Sequence, residues 1–474
     1  MIDLSPVKQE LAGKPVAVYG LGKSGLSAVR ALQAAGVTCH VWDSSENQCL
    51  EAEKLGGLIY DLDKQDMSAY GYLILAPGIP LYHPEPPPAV SNALESGVEI
   101  IGDIELFHKS KADARVIAIT GTNGKSTTTA LIGHILKTAG IPCSVGGNIG
   151  VPVLDMDIPE EQNSWVILET SSFQLDLCKE FRPDIGVLIN ITTDHLDRHG
   201  GMENYVIAKK RLFQNGFDAA VIGVDNKATK DIFREFNNKE EKSGAVIPIS
   251  VLKELDRGVY IHDEHLIDSH FHEEPHEFLK LSPLRKLPGH HNWQNICMAY
   301  TVCRHMGLSP EKIKEGIESF EGLPHRQYLI RVINGIAYVN DSKATNIDSA
   351  KRALACYKKI YWILGGRPKS DGLSGAEEYQ DRIKKTFLIG EASDEFASWL
   401  DNRDIPYVMC GTLDKAVSEA HDQAQSERGE PGGAGTVLFS PACASFDQYK
   451  SFEERGEHFV KLVENLEDDP SSDG

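Results

Sequence analysis

The sequence has no CxxC pair, no run approaching the ~18 apolar residues of a membrane span and no excess of basic charge. Nine cysteines, at positions 39, 49, 143, 178, 297, 303, 356, 410 and 443, are scattered mostly through apolar or helical stretches. Paired-cysteine redox and zinc motifs are thereby excluded, and reduced thiols in a cytosolic protein are expected. Lys and Arg number 48 against 69 Asp and Glu, a formal charge of -21 that opposes any polyanion, so nucleic acid is not an expected partner. The first residues, MIDLSPVKQE, lack a basic n-region and an apolar h-region. A cytoplasmic chain, without export or membrane insertion and acting as a monomer, is expected.

What is present is three alternating α/β segments, in line with a prior of about three domains at about 150 residues each. The expected division is 1–103, 104–322 and 323–466, with 467–474 a disordered tail rich in Ser, Pro and Asp. The first segment carries VAVYGLGKSG from Val16, a helical stretch to Ala35, and CHVWD ending at Asp43. That is the order strand, GxGxxG, helix, strand, acid of a Rossmann unit, in which Asp43 can reach ribose hydroxyls. A tight turn without ligand is the plainer reading. Tyr72–Ala76 adds a strand ending in Pro77-Gly78.

The second segment opens with IAITGTNGKSTTT from Ile117, where Gly121 and Gly124 enclose only Thr122 and Asn123. A standard P-loop would place four residues there. The backbone N–H groups of Thr122 to Lys125 and the following helix start form an anion site, Lys125 adds charge, and Ser126 stands where a hydroxyl ligates Mg2+. Two nearly continuous apolar runs, Trp165–Glu169 and Ile185–Asn190, suit parallel strands buried on both faces. Glu169 ends the first and can hold Mg2+ on nucleotide phosphates, or cap the next helix. His195, five residues past Asn190, is either a structural histidine or a second cation ligand. The stretch HDEHLIDSHFHEEPHE, from His262 to Glu277, is irregularly spaced and reads as a solvated hairpin rather than a metal site. Strands near 336–340, 360–364, 386–390, 406–410 and 436–440 build the third segment, each ending in small or polar residues that offer a further binding edge.

By themselves these residues also allow a nicotinamide-dependent oxidoreductase, which leaves the phosphate loop unused, or a nucleotide switch without an amino-acid substrate. The motifs GTNGKST, ETSSFQL, TTDHLDRHG, YVIAKKRLF, GHHNWQN, GLPHR, NDSKATN and SPACASFDQYKSFEERG occur in the order found in the Mur ligases of peptidoglycan synthesis, which the chain resembles from Val16 to about Leu466. The resemblance implies three domains, all α/β: a Rossmann-like UDP-binding domain, a central P-loop-type ATP-binding domain and a C-terminal Rossmann-like domain for the amino acid. It further implies ADP-forming ligation of D-glutamate to UDP-N-acetylmuramoyl-L-alanine through an acyl phosphate, with two Mg2+ ions. Ligation of another amino acid, or onto folate, is the alternative within the superfamily.

Carried over residue by residue, Gly121, Thr122, Asn123, Gly124, Lys125, Ser126 and Thr127 correspond to ATP contacts, as do Asn292, Asn295, Arg326 and Asp341. Ser126, Glu169, His195 and Lys209 correspond to metal ligands, Lys209 as a carbamate formed from CO2; on its own it reads as a solvated helical lysine. Lys125, Glu169, His195, Lys209, Arg326 and Lys343 are the expected catalytic set. Lys23, Ser24, Asp43, Gly78, Asn148, Ser171 and His195 align with the UDP substrate, which replaces the dinucleotide reading of the first segment. Thr345, Lys369, Ser445, Phe446 and Phe452 align with D-glutamate, although Ser445 and Asp447 would also serve as plain helix caps. Thr170, Pro368 and Ser370 depart from the family's usual residues.

Overall fold

In the computed structural model, which describes residues 2–161, 164–238, 244–284, 286–287, 289–368, 372–429 and 435–467, the apolar runs become parallel strands. Trp165–Glu169 and Ile185–Leu188 are buried throughout, and Arg115–Thr120 is buried after its first residue. These three are neighbours in a nine-stranded sheet, with Arg115–Thr120 in the middle. Because they are parallel, their carboxyl ends meet at one edge. Continuing outward, Ala219–Gly223 and Ala245–Ser250 lie beyond Ile185–Leu188, and Cys143–Gly147 lies beyond Trp165–Glu169.

The far side of this sheet is finished by Val259–His262, His265–Asp268 and His276–Lys280, the last two pairings antiparallel. This is the histidine-rich stretch, and it is not wholly solvated. Leu266, Ile267 and Asp268 are buried, and Asp268 accepts the Tyr300 hydroxyl at 2.7 Å and two backbone N–H groups.

A second sheet has five parallel strands in the order Leu58–Ile59, Cys39–Trp42, Val16–Tyr19, Tyr72–Leu75, Glu99–Ile101. Its buried faces and those of the central sheet share one hydrophobic cluster, running from Ile2 to Phe236. Polar ties cross the same seam. Glu105 is fully buried, and its carboxylate accepts the backbone N–H groups of Lys179, Glu180 and Phe181, while Asp103 accepts from Gln174. This shared core explains why Met1–Pro283 with Asn292–Phe320 forms one compact unit.

Leu284–His291 with Glu321–Gly474 forms the other unit. Its six-stranded sheet runs Tyr328–Ile333, Ile336–Asn340, Thr436–Phe439, Ile360–Gly365, Ile383–Ile389, Tyr407–Gly411, parallel except for the first hairpin. No helix among the described residues is long and apolar enough to cross a membrane. All nine cysteines are free thiols.

Candidate nucleotide and metal site

The compact loop is held through its two central residues by the neighbouring strand's extension. Thr122 N–H donates to the Asn190 carbonyl and Asn123 N–H to the Asn190 side chain, both at 2.9 Å. The Thr122 hydroxyl meets Tyr205 OH at 3.0 Å and accepts from Thr192 N–H at 2.9 Å. Gly124 adopts φ +87°, and a Cβ there would lie 2.3 Å from Asn295 Oδ1. Only glycine satisfies both conditions without displacing the asparagine. Asn295 in turn accepts from Thr128 and donates to Asn292, so the loop and the helix Lys125–Thr138 are fixed against the helix bearing these two asparagines.

Lys125 opens that helix, and its Nζ reaches back to the carbonyls of Gly121 and Thr122 at 2.9 Å each. Ser126 is buried beside it and Thr127 is partly exposed. Lys209, on Met202–Lys210, is 1 % exposed; its Nζ donates to the Gly121 carbonyl at 2.9 Å and lies 4.7 Å from the Tyr205 ring centroid. Burial, reinforced by the neighbouring Lys125 charge, depresses the Lys209 pKa well below its ordinary value, against the opposing pull of Asp194 and Glu169.

Glu169, at the carboxyl end of its strand, is 2 % exposed. Oε1 accepts from Asn148 Nδ2 at 2.8 Å, and Oε2 is buried with no hydrogen-bond partner among the described residues. It does not cap the next helix. Ser171 does so, in a capping box with Gln174. An unsatisfied buried carboxylate oxygen is costly unless a cation or ligand completes it. No group of three or more His, Cys, Asp or Glu side chains among the described residues is arranged to enclose an ion. A cation at Glu169 would therefore draw on other oxygens, which suits Mg2+ shared with phosphates.

The strand leading to His195 closes at Leu188, and His195 itself takes φ 52° at the start of Leu196–His199. Its side chain is about half exposed, with Nε2 3.4 Å from Asp194. Burial lowers its pKa, aided by Lys125 and opposed by Asp194, a direction that favours the neutral imidazole a metal would need.

In the first sheet the glycine turn packs as its spacing implies. A Cβ on Gly25 would fall 2.0 Å from the Gly20 carbonyl oxygen, whereas one on Gly22 meets nothing within 4 Å, leaving backbone open to a ligand. Lys23 is exposed, Ser24 is partly buried, and Gly78 is exposed with its carbonyl bonded to Arg198 at 2.8 Å. Asp43 turns inward: its carboxylate accepts Leu21 N–H at 2.6 Å and Ser45 N–H at 2.8 Å, clamping the turn.

The second compact unit gathers its own residues at strand ends. Asp341 is buried, accepting Gln327 N–H at 3.1 Å and the Ser440 hydroxyl at 2.7 Å. Burial pushes its pKa up to about 7, partly offset by these bonds and by Arg326 and Arg352. Lys343 Nζ lies 3.7 Å from the Phe452 ring centroid, and Thr345 follows on the same turn. Ser445 is buried, whereas Phe446 is 61 % exposed. The helix Phe452–Glu464 is capped by Ser451 and not by Ser445 or Asp447. Lys369 lies outside the described residues.

Sequence reasoning gave no role to Arg455, which resembles an ordinary helix-surface arginine. It is 1 % exposed and binds the Ser342 hydroxyl and carbonyl and the Cys443 carbonyl, joining the NDSKATN and SPACAS turns. Asn190 was likewise visible only as a strand end.

Comparison with known proteins fits this geometry. Residues 119–303 match the Mur ligase middle domain, and residues 14–102 match the Mur ligase MurD-like N-terminal domain. The chain is 43% identical over 464 residues to the UDP-N-acetylmuramoylalanine--D-glutamate ligase of Phenylobacterium zucineum (strain HLK1), covering 96% of this chain and 97% of the relative. It is 44% identical over 461 residues to the protein of the same name from Caulobacter vibrioides (strain NA1000 / CB15N), covering 96% of each. Among solved structures, the UDP-N-acetylmuramate-alanine ligase MurC of Thermotoga maritima shares the fold with TM-score 0.55 at 16% identity, over 95% of this chain and 99% of that one.

Proposed function

The chain belongs to the Mur ligase family, and we infer that it is an ADP-forming ligase that joins D-glutamate to UDP-N-acetylmuramoyl-L-alanine in peptidoglycan precursor synthesis. A carboxylate is a poor acyl donor because its leaving group would be oxide. Transfer of the ATP γ-phosphoryl group onto the alanyl carboxylate gives an acyl phosphate, the amine of glutamate attacks its carbonyl, and phosphate departs from the tetrahedral intermediate.

The single observation that carries the mechanistic reading is the buried Oε2 of Glu169, which has no hydrogen-bond partner among the described residues. Glu169, His195 and Ser126 would hold Mg2+, completed by phosphate oxygens, water and a carbamate on Lys209; two ions are proposed. When bound, Mg2+ neutralises the transferring phosphoryl group and orients it. The chain's own groups act alongside. The loop's N–H groups and Lys125 bind phosphates, Asn148 orients Glu169, and the Thr122–Tyr205 contact fixes the loop. The carbamate is supported by the depressed Lys209 pKa, since only a neutral amine adds CO2, and the product places an anionic oxygen donor where the amine stood.

Asn292 and Asn295 are assigned to the nucleotide, as are Arg326 and Asp341. Lys343 offsets charge at the reacting centre. Lys23, Ser24, Asp43, Gly78, Asn148, Ser171 and His195 are assigned to the UDP substrate. Asp43 serves through the turn it clamps and Ser171 through the helix it caps. Thr345, Lys369, Ser445, Phe446 and Phe452 are assigned to D-glutamate, whose two carboxylates need donors and a cation. Free thiols throughout and a nucleotide-linked reaction support a cytoplasmic setting.

The test is product formation in a coupled assay: ADP and phosphate appear only when the UDP-muramoyl substrate, D-glutamate and ATP are all present. AMP formation, NAD reduction, or equal turnover with L-lysine or meso-diaminopimelate would refute the assignment.

A further inference from the structure

Within the first compact unit, one arginine joins two features that the reaction uses separately. Arg198 Nη1 donates to the Gly78 carbonyl at 2.8 Å and Nη2 to the Pro77 carbonyl at 3.4 Å, gripping the turn at the end of Tyr72–Leu75. The guanidinium carbon lies 4.7 Å from the Phe173 ring centroid. Phe173 sits on the short helix Ser172–Asp176, just after the strand that ends in Glu169. The same ring contacts His195 at 5.0 Å between centroids and stacks on His199 at 5.2 Å and 15°. His199 is itself fixed, one ring nitrogen 3.0 Å from the Ser172 hydroxyl and the other 3.2 Å from Asp176.

No carboxylate among the described residues pairs with Arg198, so its charge is directed at two neutral carbonyls and an aromatic face. A planar fork fits this arrangement and an ammonium does not. A cavity of about 450 Å³, lined among others by Ile79, Tyr82, Phe173 and Arg198, opens over this contact.

We propose that Arg198 is a positioning residue: through Phe173 it sets the loop bearing His195 against the Pro77-Gly78 turn, so that holding the UDP substrate and assembling the metal site are energetically coupled. This rests on the assignment of Gly78 to the UDP substrate and of His195 and Glu169 to the cation. Binding at the turn immobilises the two carbonyls, their grip on Arg198 restricts Phe173, and Phe173 restricts both His195 and the helix behind Glu169. Linkage makes the effect reciprocal, so loss of the arginine weakens each partner's response to the other.

The test uses the full-length enzyme with Arg198→Met, which keeps apolar packing on Phe173 but removes both donors, and Arg198→Lys, which keeps charge without the fork. Calorimetric binding of UDP-N-acetylmuramoyl-L-alanine is measured with and without Mg2+ and ADP, and KM is measured for each substrate. In Arg198→Met the UDP substrate's Kd and KM rise about tenfold, the loss expected for a charge-assisted hydrogen bond, while KM for D-glutamate stays within about twofold. The gain in its affinity on adding Mg2+ and ADP falls towards none, and Arg198→Lys recovers only part. Phe173→Leu, which leaves the carbonyl bonds in place, keeps the UDP substrate's Kd but also loses the Mg2+-dependent gain. A uniform loss across all substrates, or an unchanged Mg2+-dependent gain in Arg198→Met, would overturn the positioning role. Failure of the wild-type protein to bind the UDP-muramoyl substrate would instead remove the underlying functional reading.

Discussion

The side-chain nitrogen of Lys209 donates to the main-chain carbonyl of Gly121 at 2.9 Å, joining a buried helical lysine to the first residue of the phosphate loop. Burial and the neighbouring Lys125 charge lower its pKa well below the ordinary value, the direction that favours the proposed carbamate. Lys209→Ala is expected to lose most activity, and small carboxylic acids are expected to restore part of it by supplying the missing anionic oxygen. Lys209→Arg, which cannot be carbamylated, is expected to gain nothing from the acids. Initial rates with and without added acid check this, and unchanged activity in Lys209→Ala would mean that the lysine only packs the loop.

Asn148 holds Glu169 through one oxygen, and the other has no hydrogen-bond partner among the described residues. Asn148→Ala is expected to weaken the apparent Mg2+ affinity by about 10- to 100-fold, as for other groups that orient a metal ligand. Glu169→Gln keeps the shape but lacks the anionic oxygen, and its activity is expected to fall further. Mg2+ titrations of the initial rate distinguish the two variants.

Gly124→Ala places a side chain at φ +87° and against Asn295. A stability loss of about 1–3 kcal/mol is expected from the backbone conformation alone, with weakened ADP binding because the loop must shift. Thermal unfolding together with nucleotide titration measures both effects.

Asp341 gives a pH signature of definite sign. Its folded pKa, about 7, lies above the ordinary 3.8, so the folded state binds the proton more tightly than the unfolded chain does. That contribution to stability is complete below the unfolded value and is lost as pH rises through the folded one. The stability of Asp341→Asn relative to wild type is therefore expected to increase between pH 3.8 and about 7 and then level off. Denaturant unfolding across that range measures the difference, and a flat difference would contradict it.

Burial decided which of these features could be read beforehand. Continuous apolar runs such as Trp165–Glu169 announce buried parallel strands, and their shared carboxyl edge brings the glycine loop, Glu169 and the His195 loop within one region. Leu58–Ile59, two exposed residues at a sheet edge, has too little pattern to announce itself. Lys209 and Arg455 look solvated because charge on a helix usually is; their burial comes from elements distant in sequence, Gly121 for one and Ser342 and Cys443 for the other. Motif resemblance gave Lys209 a role, whereas Arg455 lies within SPACASFDQYKSFEERG but was given none. Phe173 has no expected role of its own within ETSSFQL, yet its ring meets His195, His199 and Arg198 at once, a convergence created by the tertiary fold.

The most direct test of the account is the fate of the alanyl carboxylate oxygens during one turnover. With UDP-N-acetylmuramoyl-L-alanine labelled by 18O in that carboxylate, together with ATP and D-glutamate, one labelled oxygen is expected in the inorganic phosphate and none in ADP, with amide formed in equal amount. Amide formed with unlabelled phosphate, or label recovered in AMP, would contradict activation through an acyl phosphate.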